Sequence, residues 1–205
     1  MNYGFVKTAV VTPKIKVADV AYNGAEIEKL MKEASENGAR IIVFPELSLT
    51  GYTCGDLFSQ DILVAGAKEE LIRLVQESQE LDGLFFVGLP WEHRGKLYNA
   101  AAVFEGGQLL GIVPKTYLPS HGEFSESRTF APGKKGYEYI DFEGEMVPFG
   151  TSLLFTCENR KNLVVAAEIC EDLWAPNPPS VSHALHGATV IVNLAASNET
   201  TGKSE

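Results

Sequence analysis

The sequence predicts an α/β fold with mixed sheets, and three observations predict it. Runs rich in β-branched and aromatic residues alternate early in the chain with stretches of helical apolar period, as βαβ units require. Later the texture changes to short apolar runs joined by glycine turns, which makes hairpins and hence a mixed sheet. The 205 residues are 45% hydrophobic and 21% charged. That is the composition of one soluble domain with a core large enough to need no disulfide or metal staple.

Phe5 to Val11 reads as a strand closed by Thr12-Pro13, and Asp19 to Asn37 as a helix. In that helix Ile27, Leu30, Met31 and Ala34 share one face, and Asn37-Gly38 supplies the stop. The glutamates between 26 and 36 read as its solvated face. Ile41 to Phe44 is a short strand ended by Pro45. Ile62 to Glu80 is a second helix with Leu71, Leu74 and Val75 inward. Leu84 to Leu89 is a strand closed by Pro90. Ala100 to Phe104 and Leu109 to Val113 form a hairpin around Gly106-Gly107. A polar segment from Ser120 to Gly136 follows. Short strands are predicted near Tyr137–Phe142 and Leu153–Phe155, with the most continuous apolar strand at Leu163–Ile169. A short helix, Pro179 to His186, leads to a last strand, Thr189 to Leu194. Residues 195–205 trail away without a closing helix, so the chain is expected to be one domain, residues 1–205, truncated at its C-terminus.

The charge excludes several functions. Lys+Arg number 17 against Asp+Glu 27, net −10, with no basic stripe of the kind a phosphate-backbone binder shows, so no nucleic-acid or anionic-membrane partner is expected. No apolar run reaches membrane-spanning length, and the N-terminal residues lack the pattern of a signal peptide. Three cysteines, Cys54, Cys157 and Cys170, without CxxC spacing fit reduced thiols in a cytoplasmic protein. No His/Cys/Asp cluster has metal-ligand spacing.

Three strands end alike, each with a reactive side chain just beyond: Pro45-Glu46-Leu47, Pro114-Lys115-Thr116 and Ile169-Cys170-Glu171. Ligand sites in α/β sheets gather at strand C-terminal ends. A thiolate is a strong nucleophile. A carboxylate can take the thiol proton and return it to a leaving amine. An ammonium favours the thiolate and faces the oxyanion of a tetrahedral intermediate. The trio therefore suits attack on an amide or nitrile carbon through a thioester. Taken singly, each has a plainer reading: a solvated glutamate, a snorkelling lysine, a small buried thiol.

With their flanks, these residues resemble the nitrilase superfamily. Phe44-Pro45-Glu46-Leu47-Ser48-Leu49-Thr50-Gly51-Tyr52 carries the family's first motif, Pro114-Lys115-Thr116-Tyr117-Leu118-Pro119 with Glu126 and Phe130 the second, and Glu168-Ile169-Cys170-Glu171-Asp172-Leu173-Trp174 the third. The resemblance implies a four-layer α-β-β-α sandwich, Glu46 as general base, Lys115 as stabiliser of the tetrahedral intermediate and Cys170 as nucleophile. It also implies Glu126 as support for the lysine, with Glu123 as competitor for that role. Gly55-Asp56-Leu57-Phe58, Cys170 to Trp174 and Asn193-Leu194-Ala195-Ala196-Ser197-Asn198 further resemble the glutaminase domains of glutamine-dependent NAD synthetases. That resemblance implies glutamine as substrate, with Tyr52, Phe124, Glu171, Trp174, Ser197 and Lys203 lining its pocket. It implies a homo-oligomer and no cofactor in this domain. ATP, magnesium and deamido-NAD would belong to a following synthetase domain, whose Ser-Gly-Gly-x-Asp-Ser phosphate loop is absent from this sequence. Free-standing amidases and non-catalytic modules of the same fold are the alternatives.

Other motifs are weaker. Thr201-Gly202-Lys203-Ser204 resembles the tail of a phosphate-binding loop, but its first glycine position is Ser197. His183 or His186 could form a dyad with Cys170; activation by Glu46 and Lys115 is the preferred expectation. His93 reads as a turn residue. His121 follows the lysine motif. Cys54 reads as a structural thiol.

Overall fold

The computed structural model describes residues 4–203. In chain order its elements are β1 (Thr8–Val10), α1 (Val20–Glu36), β2 (Ile41–Val43), α2 (Asp61–Glu77), β3 (Leu84–His93), β4 (Lys96–Glu105), β5 (Gln108–Pro114), β6 (Tyr137–Phe142), β7 (Glu145–Gly150), β8 (Phe155–Thr156), β9 (Val164–Ile169), α3 (Pro179–Leu185) and β10 (Val190–Leu194). A seven-stranded sheet runs β1-β2-β3-β4-β5-β7-β6, and a three-stranded sheet runs β10-β9-β8. Parallel and antiparallel pairs occur in both.

The side-chain period of two sorts the layers. From the large sheet, Phe85 and Phe104 turn outward onto Ile27, Met31 and Leu71 of α1 and α2. Ile41, Val43, Phe86 and Val103 turn inward, where they meet Phe155, Val165, Ala167 and Val192 of the small sheet. On β9 the alternate residue Glu168 faces outward and accepts the Ser180 N–H of α3. The result is four layers, α-β-β-α. Each large apolar side chain buried this way contributes about 1.5–3 kcal/mol, so the two cores hold the strand ends rigidly.

Local chemistry explains the elements. The Asp19 carboxylate accepts the Tyr22 N–H at 3.2 Å as the α1 N-cap. Gly38, at φ +82°, provides the left-handed turn after Asn37. The β4–β5 turn rests on Gly106 and Gly107, at φ +56° and +82°, values that suit a two-residue hairpin.

Three sequence expectations are corrected. Phe5 is 81% exposed and the first strand starts at Thr8. β3 does not stop at Pro90 but runs on to His93, paired with β4 through Pro90↔Asn99. The Asn99 carbonyl points to β5, where it accepts Lys115 N–H, so Pro90 sits opposite a residue turned away from it. Its missing N–H would face the side that β2 has already left. The third correction is at Leu153–Phe155, where the strand is only Phe155–Thr156, while β7 lies just before it. The pattern of β7, Glu145-Met146-Val147-Pro148-Phe149-Gly150, is broken by charge and proline.

Candidate active site

Glu46, Lys115 and Cys170 each sit just past a buried strand, β2, β5 and β9 respectively. The fold brings them together. Lys115 Nζ donates to Glu46 Oε1 at 2.6 Å and to Glu126 Oε1 at 2.7 Å. All three side chains are essentially out of solvent, at 0%, 0% and 5% exposure for Lys115, Glu46 and Glu126. Glu126 comes from the polar segment after β5, in a short 3-10 turn. The competitor Glu123 is exposed and accepts from Asn198 Nδ2 instead.

Four further groups complete the cluster. Tyr52 OH donates to Glu126 Oε1 at 2.7 Å. Asn99 Nδ2 donates to Glu46 Oε1 at 2.6 Å and to Glu126 Oε2 at 3.3 Å. The Ala196 N–H donates to Glu46 Oε2 at 3.0 Å. Cys170 lies close enough for Glu46, Lys115 and the Ala196 amide all to act on the protonation of its thiol.

Cys170 has φ +46°, a left-handed conformation that costs a non-glycine residue about 1–2 kcal/mol. Asp172 stabilises the turn. Its carboxylate accepts Ile169 N–H at 3.0 Å, Thr116 N–H at 3.0 Å and Tyr117 N–H at 2.7 Å. One buried carboxylate thus ties the cysteine turn to the chain just after Lys115. Burial pushes its pKa up to about 6 against those hydrogen bonds.

Glu46 is placed by a close backbone approach. A Cβ on Gly88 would collide with Pro45 O and Leu47 N, and would come within 2.8 Å of the Glu46 carbonyl carbon. Leu47 itself turns at φ +51°. Gly88→Ala is therefore expected to displace Glu46, lowering kcat about 100-fold and stability by about 1–3 kcal/mol. Steady-state kinetics and a thermal melt check both.

Electrostatics assigns protons. Burial works against the Lys115 ammonium, but Glu46 and Glu126 outweigh it and its pKa is raised. Burial raises Glu46 more than Lys115 lowers it, which makes Glu46 a stronger base than an exposed carboxylate. Burial, then Glu46, pushes Cys170 up to about 11 against the pull of Lys115. The resting group is a thiol, whose proton must be taken in the reaction; Lys115 favours the thiolate, and burial and the neighbouring carboxylate outweigh it at rest. Burial and Glu126 raise Tyr52 as well, so it remains a donor.

The expected pocket residues come from four segments, the first carrying Tyr52 in the cluster itself. Phe124 packs edge-on to Tyr52 at 6.1 Å between ring centroids. Glu171 follows the cysteine and lies 3.6 Å from His121. Ser197 follows Ala196, and its Oγ accepts from Lys203 Nζ at 2.7 Å. Trp174 stands largely in solvent, 77% exposed. His183 is buried against the Thr151 carbonyl at 2.9 Å, and His186 bonds the Ser182 carbonyl at 2.7 Å. Both ring nitrogens in contact are thus committed away from Cys170. Cys54 donates to the Thr50 carbonyl, and burial raises its pKa. A cavity of about 960 Å³ opens between the sheets near Ile41, Leu84 and Phe155, and its lining includes none of Glu46, Lys115, Glu126 and Cys170. Among the described residues no group of three or more His, Cys, Asp or Glu is arranged to hold a metal, and no helix is long and apolar enough to cross a membrane.

Sequence reasoning missed Asn99, Asp172 and Ala196. Asp172 carried a signal, a buried-strand exit followed by an acid in a tight turn. The others depend on register and on a long-range backbone contact.

A base, an ammonium and a thiol on converging strand ends define a class, and residues 7–205 match the model of the carbon-nitrogen hydrolase family. The chain belongs to that family. The glutamine-dependent NAD(+) synthetase of Mycobacterium tuberculosis is 42% identical over 204 residues, covering 100% of this chain and 30% of that protein. The crystal structure of a glutamine-dependent NAD(+) synthetase from Cytophaga hutchinsonii aligns with a TM-score of 0.85 at 27% identity, over 97% of this chain and 32% of that one. An amidase from Nesterenkonia sp. shares the fold, with a TM-score of 0.72 at 19% identity, over 97% of this chain and 68% of that one. The chain spans about 30% of the length of the curated synthetases it matches.

Proposed function

We propose that residues 1–205 belong to a glutamine amidohydrolase domain that releases ammonia through a cysteine thioester. The observation that carries this reading is the buried Glu46–Lys115–Glu126 cluster, with Glu46 and Lys115 close enough to Cys170 to act on its thiol. The glutamine preference is supported by the two synthetase relatives.

In this reading Glu46 takes the Cys170 proton as sulfur attacks the amide carbon. The oxyanion that forms faces the Lys115 ammonium. Collapse of the tetrahedral intermediate breaks the C–N bond, and Glu46 returns its proton to the departing ammonia. Glu46 then deprotonates a water that attacks the thioester carbonyl. Glutamate leaves, and the proton returns to the thiol. Glu126 and Tyr52 hold Lys115 in place. Tyr52, Phe124, Glu171, Trp174, Ser197 and Lys203 are the proposed glutamine-binding residues. The ammonia would amidate deamido-NAD in an ATP- and magnesium-dependent synthetase domain of the same enzyme.

A diazo-ketone analogue of glutamine tests the reading on the full natural chain. One adduct by intact mass, mapped to Cys170 and blocked by excess glutamine, is the expected result. Labelling of Cys170 by a simple thiol reagent but not by the analogue, without glutamine protection, would assign another amide substrate. No labelling of a folded chain would support a non-catalytic binding module.

A further inference from the structure

Asn99 is fully buried on β4, and its side chain is asymmetric in what it finds. The amide nitrogen bridges two carboxylates, reaching Glu46 Oε1 at 2.6 Å and Glu126 Oε2 at 3.3 Å. The amide oxygen is buried without any hydrogen-bond partner. The opposite orientation would turn that oxygen against two carboxylates and leave the nitrogen orphaned, so the N–H end must face the cluster. A buried acceptor left unpaired is destabilising, and an apolar residue of similar volume would fill the space without that defect. Packing therefore does not explain an asparagine here; donation to the carboxylates does.

The consequence concerns which oxygen of Glu46 is free to act. Oε1 already accepts from both Lys115 and Asn99. Oε2 accepts only the Ala196 N–H, an amide that also acts on the Cys170 thiol. The Asn99 carbonyl also accepts the Lys115 backbone N–H at 2.8 Å. One residue thus fixes both partners of the Glu46–Lys115 pair.

We propose that Asn99 is a positioning residue: its amide N–H group occupies Oε1 of Glu46, dedicates Oε2 to the Cys170 proton, and sets the acid limit of activity. This rests on the reading of Glu46 as the proton acceptor. The charged or titratable groups around Glu46 are Lys115 after β5, Glu126 and Tyr52 from the two flanking loops, and Cys170 at the end of β9, with Asp172 behind it. Asn99 is the neutral donor on Oε1, as the Ala196 N–H is on Oε2. Removing it leaves the Glu46 anion less stabilised, so its proton affinity rises and activity fails at a higher pH.

The test uses the full natural chain with Asn99→Leu and Asn99→Asp. Two readouts are followed against pH: kcat/KM for glutamine, and the rate of Cys170 alkylation by iodoacetamide. The expected result for Asn99→Leu is a shift of the acid limb upward by about one pH unit, with KM for glutamine within about two-fold. Asn99→Asp, nearly isosteric and placing a third carboxylate in the cluster, is expected to shift it further; it carries the test if the leucine variant does not fold. A uniform fall in kcat with an unmoved acid limb in a folded variant overturns the proposal and leaves Asn99 a packing residue. If the wild-type chain fails to hydrolyse glutamine but the alkylation profile still shifts, the substrate reading falls and the role of Asn99 stands. If glutamine turns over normally and neither profile shifts, the role of Asn99 falls and the substrate reading stands.

Discussion

Cys170→Ala is expected to abolish amide hydrolysis while leaving the melting temperature nearly unchanged. Removing the nucleophile of a covalent hydrolase typically costs roughly 10⁶ in kcat, because no other group on the path can form the acyl intermediate. Cys54 cannot substitute, since it is committed to the Thr50 carbonyl. The fold should tolerate the change. The side chain is small and only half-buried, and the turn is held by the Asp172 carboxylate rather than by the sulfur. Alanine also relieves Glu46 of a neighbour that would compete for its proton. Single-turnover assays and a melt on the same preparation separate the two effects. Residual turnover within about 100-fold of wild type would remove Cys170 from the nucleophile's role.

Lys115→Met is expected to have the second large effect, on activity and on stability together. Among the described residues the ammonium is the sole cation within hydrogen-bond reach of the Glu46 and Glu126 carboxylates, both out of water. Removing one partner of a buried ion pair costs about 3–5 kcal/mol, because the remaining charge has no compensation. Activity should fall at least roughly 10³-fold through loss of oxyanion stabilisation. The stability loss has a definite pH sign. Burial already raises the Glu46 pKa and Lys115 opposes that rise, so without the lysine it stands well above the unfolded value of about 4.3. A carboxylate of that kind stabilises the fold when protonated, and that contribution is lost as pH rises through the folded-state value. The difference in melting temperature between variant and wild type should thus be small near pH 5 and large at pH 8.

Much of this site was legible because its chemistry sits where strand patterns end. Glu46, Lys115 and Cys170 each follow an apolar run that buries without ambiguity, so their places at the sheet edge needed no knowledge of topology. α1 was legible for the same reason, with a clean helical period between Asp19 and Gly38. Asn99 was not. In sequence it is one polar residue before a run of alanines, and its meaning arises only when Pro90 pairs across from it and Lys115 binds its carbonyl. The length of β3 was misread because proline ends a strand only when its missing donor is needed, and here it is not. The weight of desolvation on the Cys170 thiol was not legible either, because charge proximity is visible in a motif while burial is not.

The amide of Ala196 reaches Glu46 across 150 residues of chain, and Lys115 reaches it across 69. The reactive centre is therefore of high contact order, and such non-local closures come late in folding because their loop entropy precedes any reward. Until the segment after β10 docks, Glu46 lacks the backbone donor on Oε2. A partly folded chain carries Cys170 as an ordinary, unassisted cysteine. Catalytic competence then reports the completion of the topology, and refolding should restore helical signal before it restores turnover.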